Sequence, residues 1–550
     1  MNKNMTRAIT AAALSVLIFI SVASRVTFAD TGDCAEIATA QGNVTGVADS
    51  KAGVCSYKGI PFAAPPVGKL RWATPKEPAP RDKTLVADKY GNVCVQAPFS
   101  LLGSSDSKGK YEGDEDCLYL NVWHPAGAPK GSLPVMVFIH GGSNLTGAGS
   151  WELYDGTRMA SLGKVVLVTI NYRLGPFGMM AHPALRDAAG IEGNYFSYDQ
   201  LAALKWVKSN IANFAGDPEN VTLFGESAGG MNIAAFLLSP IARGLFQKAI
   251  IESGPPIFLG APLKPNETAA LDAAAKLGCQ EPASAADCLR KADSASVMKA
   301  FAQAMTPRGG VVEVYDLNPV MDDVVVFKNP YKMFAEGNYN KDVRLIIGTN
   351  RDEAGFYAMS KTLNNKNDFE KALVDDTGYA KSGLGLDLDL NALRARYPFE
   401  SYKNAKKAYI DIFTDMIYGC PAIVQVWQLA GNNTPVYQYL FSKSPDEKGL
   451  LGDIGVFHSA ELPFVFGNFS SFGISFSSPK NIKLSKSVIS LWTSFARDGV
   501  PKAEGFPEWP LHTKDNPAYL KIDLNPAIQS ELKKDACSFF DAAYRKTYSD

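Results

Sequence analysis

The chain has no C-x-x-C pair and no cysteine–histidine cluster at zinc-ligand spacing, so its eight cysteines do not read as a metal site. It has no excess of either charge. A net charge of -1 and a pI of about 6.6 leave no electrostatic footprint for nucleic acid or an anionic membrane surface. Beyond the N-terminus it has no apolar run of the about 20 residues that a membrane-spanning helix needs. It has no internal repeat and no disordered linker to mark a domain boundary. Histidine is scarce, with five in 550 residues. Any chemistry that needs a histidine base must therefore draw on a short list.

What is present begins with a processing segment. Lys3 and Arg7 form a basic start, Ile9 to Ala23 is apolar, and Thr27-Phe28-Ala29 offers small residues at the -3 and -1 positions before Asp30. This predicts a signal peptide over 1–29, cleaved after Ala29, and an exported chain, periplasmic or secreted. In an exported chain, eight cysteines imply disulfides. Closeness in sequence favours Cys94–Cys117 and Cys279–Cys288, and makes Cys34–Cys55 plausible, which leaves Cys420 with Cys537.

The remaining 30–550 read as one large domain. Pro134 to His140, Val165 to Ile170, Val221 to Phe224, Lys248 to Ile251 and Arg344 to Ile347 are continuous apolar runs, as expected of strands covered on both faces. Glu115 to Trp123 alternates polar and apolar, which predicts a half-buried strand. Tyr57 to Gly68 is dense in proline and predicts a fixed surface loop. Ser197 to Phe214 places Leu201, Leu204, Val207, Ile211 and Phe214 on one helical face. Strands alternating with helices predict an α/β fold, a mostly parallel sheet with helices on both faces. The alanine-rich stretch 262–326 and the block 368–429 read as helical insertions over that sheet. Gly467 to Ser478 reads as a loop, and Ser485 to Arg497 as a late helix ended by Gly499 and Pro501.

The stretch Val221 to Met231 carries Gly225-Glu226-Ser227-Ala228-Gly229, a G-x-S-x-G after an apolar strand and before a small-residue helix. A serine on a sharp strand-to-helix turn projects its hydroxyl off the sheet, and the glycines relieve crowding there. The helix that follows directs its positive end toward the place where an oxyanion forms. The pattern alone is common by chance, so the rest of the chain must supply a base, an acid and an oxyanion hole.

Serine needs a base to take its proton, and histidine suits that task near neutral pH. His124 and His182 each precede a proline; the first reads as structural and the second as a loop residue. His512 lies in a polar stretch near the C-terminus. His140 ends an apolar strand beside Gly141-Gly142 and suits a supporting role. His458, in a loop between apolar segments and after the serine, remains by elimination. The acid that orients the base should fall between serine and histidine. Leu345 to Gly355 ends a buried strand with two carboxylates, Asp352 and Glu353, and either fits; a solvated charged turn accounts for at least one. For the oxyanion hole, Gly141-Gly142-Ser143 offers the loop half and the N–H of Ala228 the other.

These segments carry a resemblance. With Gly59-Ile60-Pro61-Phe62-Ala63, Glu115 to Asn121, His140-Gly141-Gly142, Asn171-Tyr172-Arg173, Asp199 to Val207, Phe214 to Pro218 and Phe224 to Gly230, the chain resembles the type-B carboxylesterase and cholinesterase-like family of α/β-hydrolases over nearly its whole mature length. The resemblance implies that Glu353 is the acid and His458 the base. It implies an oxyanion hole of Gly142, Ser143 and Ala228, with Ser253 and Glu226 in support. It also implies Cys94–Cys117, Cys279–Cys288 and Cys420–Cys537, with Cys34–Cys55 outside the family pattern. Two departures stand out. Ser143 and Asn144 replace the family's third glycine and following aromatic, which predicts a narrower and more polar pocket wall facing the serine. The Cys94–Cys117 loop has only Phe99 and Tyr111 as aromatics and no tryptophan to hold a quaternary ammonium, which argues against choline esters.

The expectation is therefore a serine carboxylesterase that works through an acyl-enzyme on small to medium esters. It needs no cofactor and binds no nucleic acid, and it has no stable membrane insertion once the signal is cleaved. A lipase for long-chain acylglycerols would show an apolar lid segment, and none is evident. A non-catalytic binding protein on the same fold would lack the nucleophile or base. Activity is expected to fall as pH drops through about 6.5, where a free histidine takes up a proton.

Overall fold

The computed structural model describes residues 34–98, 110–255, 260–307, 315–445, 451–471 and 474–548. The expected signal segment with its cleavage site, and Phe99, lie outside these residues. The centre is a sheet of strands β1 (Val47–Asp49), β2 (Val54–Pro61), β3 (Tyr119–Pro125), β4 (Leu133–Ile139), β5 (Val166–Ile170), β6 (Gly216–Glu226), β7 (Lys248–Glu252), β8 (Arg344–Asn350), β9 (Val436–Phe441), β10 (Ala518–Ile522) and β11 (Ala527–Ser530). Their spatial order is β11-β10-β9-β8-β7-β6-β4-β5-β3-β2-β1. The strands from β5 across to β10 run parallel, and the two ends are antiparallel.

The apolar runs are apolar because both faces of these strands are covered. Along β4, Val135, Val137 and Ile139 enter one core, while Met136 and Phe138 enter the other. The first core takes its cover from α1 (Tyr195–Asn210) and α2 (Ala228–Leu238), and the second from the late helix. The same covering corrects the reading of 115–123. The strand there is Tyr119–Pro125, and from Leu120 onward every residue is buried rather than alternately exposed. The proline-dense stretch is corrected too: Val54–Pro61 is a strand, and Phe62 and Ala63 behind it are buried.

The insertions are helical, as expected. They comprise α3 (Leu263–Lys276), α4 (Ala285–Lys291) and α5 (Ser294–Phe301), then α6 (Lys366–Leu384), α7 (Leu390–Arg396), α8 (Ala405–Thr414) and α9 (Cys420–Gly431). A turn of π-helix, Asp415–Gly419, joins α8 to α9. The late helix α10 (Pro479–Asp498) starts six residues earlier than read. Ser478 Oγ accepts from Asn481 N at 3.1 Å and Pro479 takes the first turn, a cap-and-proline start inside what reads as a loop. That loop also holds a short hairpin, Ser470–Ser471 with Ile474–Ser475. The C-terminal α11 (Lys534–Tyr548) packs on α9, and Cys420–Cys537 joins the two. Cys34–Cys55, Cys94–Cys117 and Cys279–Cys288 are also formed. Arg173, after β5, and Asp199, in α1, form a buried ion pair at 2.7 Å, which links two of the resembling motifs. Among the described residues, no helix is long and apolar enough to cross a membrane.

Candidate active site

Ser227 stands between the end of β6 and the start of α2 with φ 55° and ψ -126°, a backbone region that L-residues rarely adopt. Two hydrogen bonds hold it there: Ser227 N donates to Glu252 O at 2.9 Å, and Met231 N donates to Ser227 O at 2.9 Å. The flanking glycines have a sharper purpose than room for the hydroxyl. A Cβ on Gly229 would sit 2.0 Å from Ile139 O, and one on Gly225 would sit 2.6 Å from the same atom. The elbow is thus pressed against the end of β4, and only glycine fits at both contacts.

From that same strand end runs the loop His140 to Thr146. A Cβ on Gly141 would meet the Ser227 Cβ at 3.0 Å, so the loop crosses directly beside the serine. Gly142 has φ 103°, and Ser143 and Asn144 have φ 56° and 55°. His140 props this loop: its Nδ1 lies 2.8 Å from Gly141 O, and its ring stacks on Tyr172 at 4.3 Å. Burial holds its pKa down to about 4, so it stays neutral.

The expectation for Asn144 is corrected. The residue is 2% exposed; its Oδ1 accepts from Asn232 Nδ2 on α2 at 2.9 Å, and its carbonyl accepts from Gly175 N at 2.8 Å. It braces the loop from behind and does not face the serine. Ser143 does line the cavity at Ser227. That cavity has a volume of about 550 Å³, and its walls include Trp151, Leu153, Phe469, Met298 and Met305 as well as the polar Ser143, Thr146 and Asn468. Tyr111 also reaches it.

His458 and Ser227 line the same cavity. Glu353 Oε2 is 2.7 Å from His458 Nδ1, while Glu353 Oε1 accepts from Ser253 Oγ at 2.5 Å and from Asn350 N at 2.6 Å. With both carboxylate oxygens engaged and no exposure to solvent, Glu353 is held rigidly. A carboxylate on Nδ1 keeps the proton there and leaves Nε2 as the basic nitrogen. The other histidines are engaged elsewhere. His124 Nδ1 lies 2.9 Å from Pro125 O, His182 Nδ1 accepts from Ala184 N at 3.1 Å, and His512 Nδ1 lies 3.2 Å from Ala518 O.

Sequence reasoning named Glu226 in support but missed Glu252 and Glu461. All three are buried, and Glu226 and Glu461 act on His458. Glu226 Oε1 is 3.2 Å from His458 Nε2 and accepts from Ser459 Oγ at 2.6 Å. Trp492 Nε1 donates to Glu252 Oε1 at 2.7 Å, and Asn350 Nδ2 donates to Glu461 Oε2. The Tyr418 ring, from the π turn, lies 4.5 Å from that of His458, and the Tyr418 and Tyr357 hydroxyls are 2.8 Å apart. The one available signal was a lone glutamate closing an apolar strand at Glu252 and another three residues after the histidine at Glu461. Among the described residues no His, Cys, Asp and Glu grouping is arranged to hold a metal ion.

The carboxylates decide the electrostatics. Burial favours neutral His458, but the charge of Glu226, then the hydrogen bond and charge of Glu353, outweigh it and raise its pKa above 6.5. Burial also raises Glu226 and Glu461, and pushes Glu252 up to about 8. A base with a raised pKa is available only above that pKa and is lost as pH falls through it. The acid limb of kcat/KM should therefore lie above the 6.5 expected of a free histidine. Glu226→Gln, which removes the leading charge, should move it to lower pH. An acid limb at or below 6.5 in the wild type, or unmoved in Glu226→Gln, would contradict this account.

Comparison with known proteins adds the following. The model of the carboxylesterase family matches residues 33–540. The chain is 35% identical to para-nitrobenzyl esterase of Bacillus subtilis (strain 168) over 516 residues, covering 90% of this chain and 96% of that protein. It is 34% identical to carboxylesterase 1C of Rattus norvegicus over 508 residues, covering 88% of each. A solved PNB esterase structure superposes with a TM-score of 0.77 at 34% identity, covering 92% of this chain and 99% of that one.

Proposed function

The chain belongs to the carboxylesterase family and is an α/β-hydrolase that cleaves carboxylic esters, and from that premise we propose that Ser227, His458 and Glu353 carry the reaction. The observation that supports this most is the shared cavity. A serine on a strained elbow lines it together with a histidine whose far nitrogen is held at 2.7 Å by a buried carboxylate. His458 Nε2 takes the Ser227 proton as Oγ attacks the ester carbonyl. The N–H groups of Gly142, Ser143 and Ala228 receive the oxyanion, with the N-terminal end of α2 adding its dipole. The protonated His458 returns its proton to the leaving alcohol. A water molecule, activated by the same nitrogen, then releases the acid. Glu353 fixes the tautomer and stabilises the imidazolium, Ser253 holds Glu353, and Glu226 supports the positive charge that forms on His458.

The cavity favours uncharged esters of small to medium size. Its volume is in the range of small-molecule sites, about 300–1,000 Å³. Its described walls are mostly apolar and aromatic and carry no lysine, arginine or aspartate; the one carboxylate among them is Glu226. We place the enzyme outside the cytoplasm after cleavage behind Ala29, a reading supported by its four disulfides. Tryptic mapping after reaction with a fluorophosphonate probe should find Ser227 as the labelled residue. Nitrophenyl esters of short and medium chain should be turned over faster than emulsified long-chain triglycerides. Label on a different serine would remove the nucleophile assignment. Preference for the emulsion would replace the substrate class by that of a lipase.

A further inference from the structure

Asp352 and Glu353 stand side by side at the end of β8, and the structure separates their work completely. Glu353 reaches His458. Asp352 is neither a solvated turn residue nor an alternative acid; it is 3% exposed, and its contacts lead elsewhere. Its N–H donates to Val456 O at 3.0 Å, and its Oδ2 accepts from Val456 N at 2.9 Å. Both backbone groups of Val456, two residues before His458, are thus taken by the residue immediately before Glu353. We propose that Asp352 is a positioning residue that clasps the loop of the base to the loop of the acid and so sets the 2.7 Å contact between Glu353 and His458.

Three further observations carry this. The two loops are packed too closely for side chains: a Cβ on Gly455 would lie 2.3 Å from Asp352 Oδ2, and one on Gly355 would lie 2.1 Å from Ile454 O. Gly455 also has φ 72°, so the loop of the base bends around the Asp352 carboxylate at a residue suited only to glycine. Last, the carboxylate is anchored on its other side. Lys407 Nζ, from α8, contacts Oδ1 at 2.7 Å and also holds Asp411 at 2.6 Å, and Arg351 Nε contacts Oδ2 at 2.8 Å. Thr414 Oγ1, at the end of α8, accepts from Ala354 N at 3.1 Å, so the same helix grips the acid loop on both sides of Glu353. Burial disfavours the Asp352 anion, but Lys407 and Arg351 outweigh it and hold the carboxyl below its usual range. The charged form of the clasp is therefore favoured. The leading charges on His458 are Glu226, Glu353 and Glu461. Asp352 acts on the base through geometry, by placing Glu353 against it.

This rests on the assignment of Glu353 and His458 above, and the experiment keeps the two apart. The test is Asp352→Asn in the full chain. An amide has one acceptor oxygen and cannot serve Val456 N, Arg351 and Lys407 together. The expected result is a kcat at least fivefold lower, a KM within threefold of wild type, and an acid limb at least half a pH unit lower, because a displaced Glu353 no longer raises the base. A loss below fivefold overturns the clasp, and so does a loss of kcat with the acid limb unmoved, the signature of a merely structural residue. A second measurement needs no variant. In the wild-type chain the Val456 amide should exchange with deuterium as slowly as the amides of Leu345 to Ile347, and exchange at the rate of an open loop overturns the proposal. Full activity in Glu353→Gln would instead remove the underlying assignment. Inactivity of Glu353→Gln beside a near-normal Asp352→Asn would remove this inference alone.

Discussion

Ser227→Ala is expected to lower kcat for a nitrophenyl ester by roughly 10⁴- to 10⁶-fold, the loss typical of removing the nucleophile from a triad that acts as a unit. The oxyanion donors and the cavity remain in that variant, so a small residual rate over water is expected. The fold should be unchanged, because the elbow is held through the backbone of Ser227. Its backbone bonds to Glu252 and Met231 hold it, and alanine keeps both. Alanine also keeps the strain of φ 55°, whereas glycine removes it. A residue in such a region costs on the order of 1–3 kcal/mol. Ser227→Gly should therefore be as inactive as Ser227→Ala yet unfold at a higher temperature. Ester kinetics, far-UV circular dichroism and thermal melts of the two variants check this together. Activity within tenfold of wild type in either would remove Ser227 from the chemistry. Equal melting temperatures would mean that the elbow stores no strain.

Glu353→Gln is expected to cost about 10³- to 10⁴-fold in kcat. The reason is a count of acceptors. Glu353 receives Ser253 Oγ and Asn350 N on one oxygen and faces His458 Nδ1 with the other. A glutamine offers one oxygen and one NH2 group. If the oxygen stays on the Asn350 side, the NH2 confronts Nδ1 and drives the proton to Nε2, so that a donor is presented to Ser227 where an acceptor is needed. If the amide turns over, the NH2 opposes the buried Asn350 N–H, and that donor loses its partner at a cost of about 1–3 kcal/mol. Activity suffers by the first route and stability by the second. The pH profile adds a sign. The carboxylate raises the pKa of His458, so its removal lowers it. The acid limb should move to lower pH even as the plateau drops. A loss smaller than tenfold, or an acid limb displaced upward, would take the role of acid away from Glu353.

The readings that held share a physical character. Buried parallel strands must be apolar on both faces, and that need is written locally in Pro134 to His140 and Arg344 to Ile347. The G-x-S-x-G after such a strand is likewise local, and the turn it describes is the elbow at Ser227. The three cysteine pairs closest in sequence are formed, since short loops close most readily, and Cys420 and Cys537 are the pair left over. The readings that did not hold concern the directions of side chains. Asn144 was expected to face Ser227, yet a left-handed φ of 55° turns it toward Asn232, and no local pattern announces that. Asp352 and Glu353 differ by one position. Their separate destinations exist only because Val456 and His458 approach from a segment about a hundred residues away.

The sequence by itself determined the covered parallel sheet, the strand-to-helix turn that bears Ser227 and a chain closed by disulfides. These follow from burial, from backbone freedom and from the chemistry that a serine requires, all of which act over a few neighbouring residues. Only the tertiary structure decided which carboxylate meets His458, how three buried glutamates shift its basicity, and what forms the walls of the cavity. Those depend on distances between segments that are far apart in the chain and on the exclusion of water from the space between them. A hydrogen bond or a buried charge takes its strength from that assembled setting.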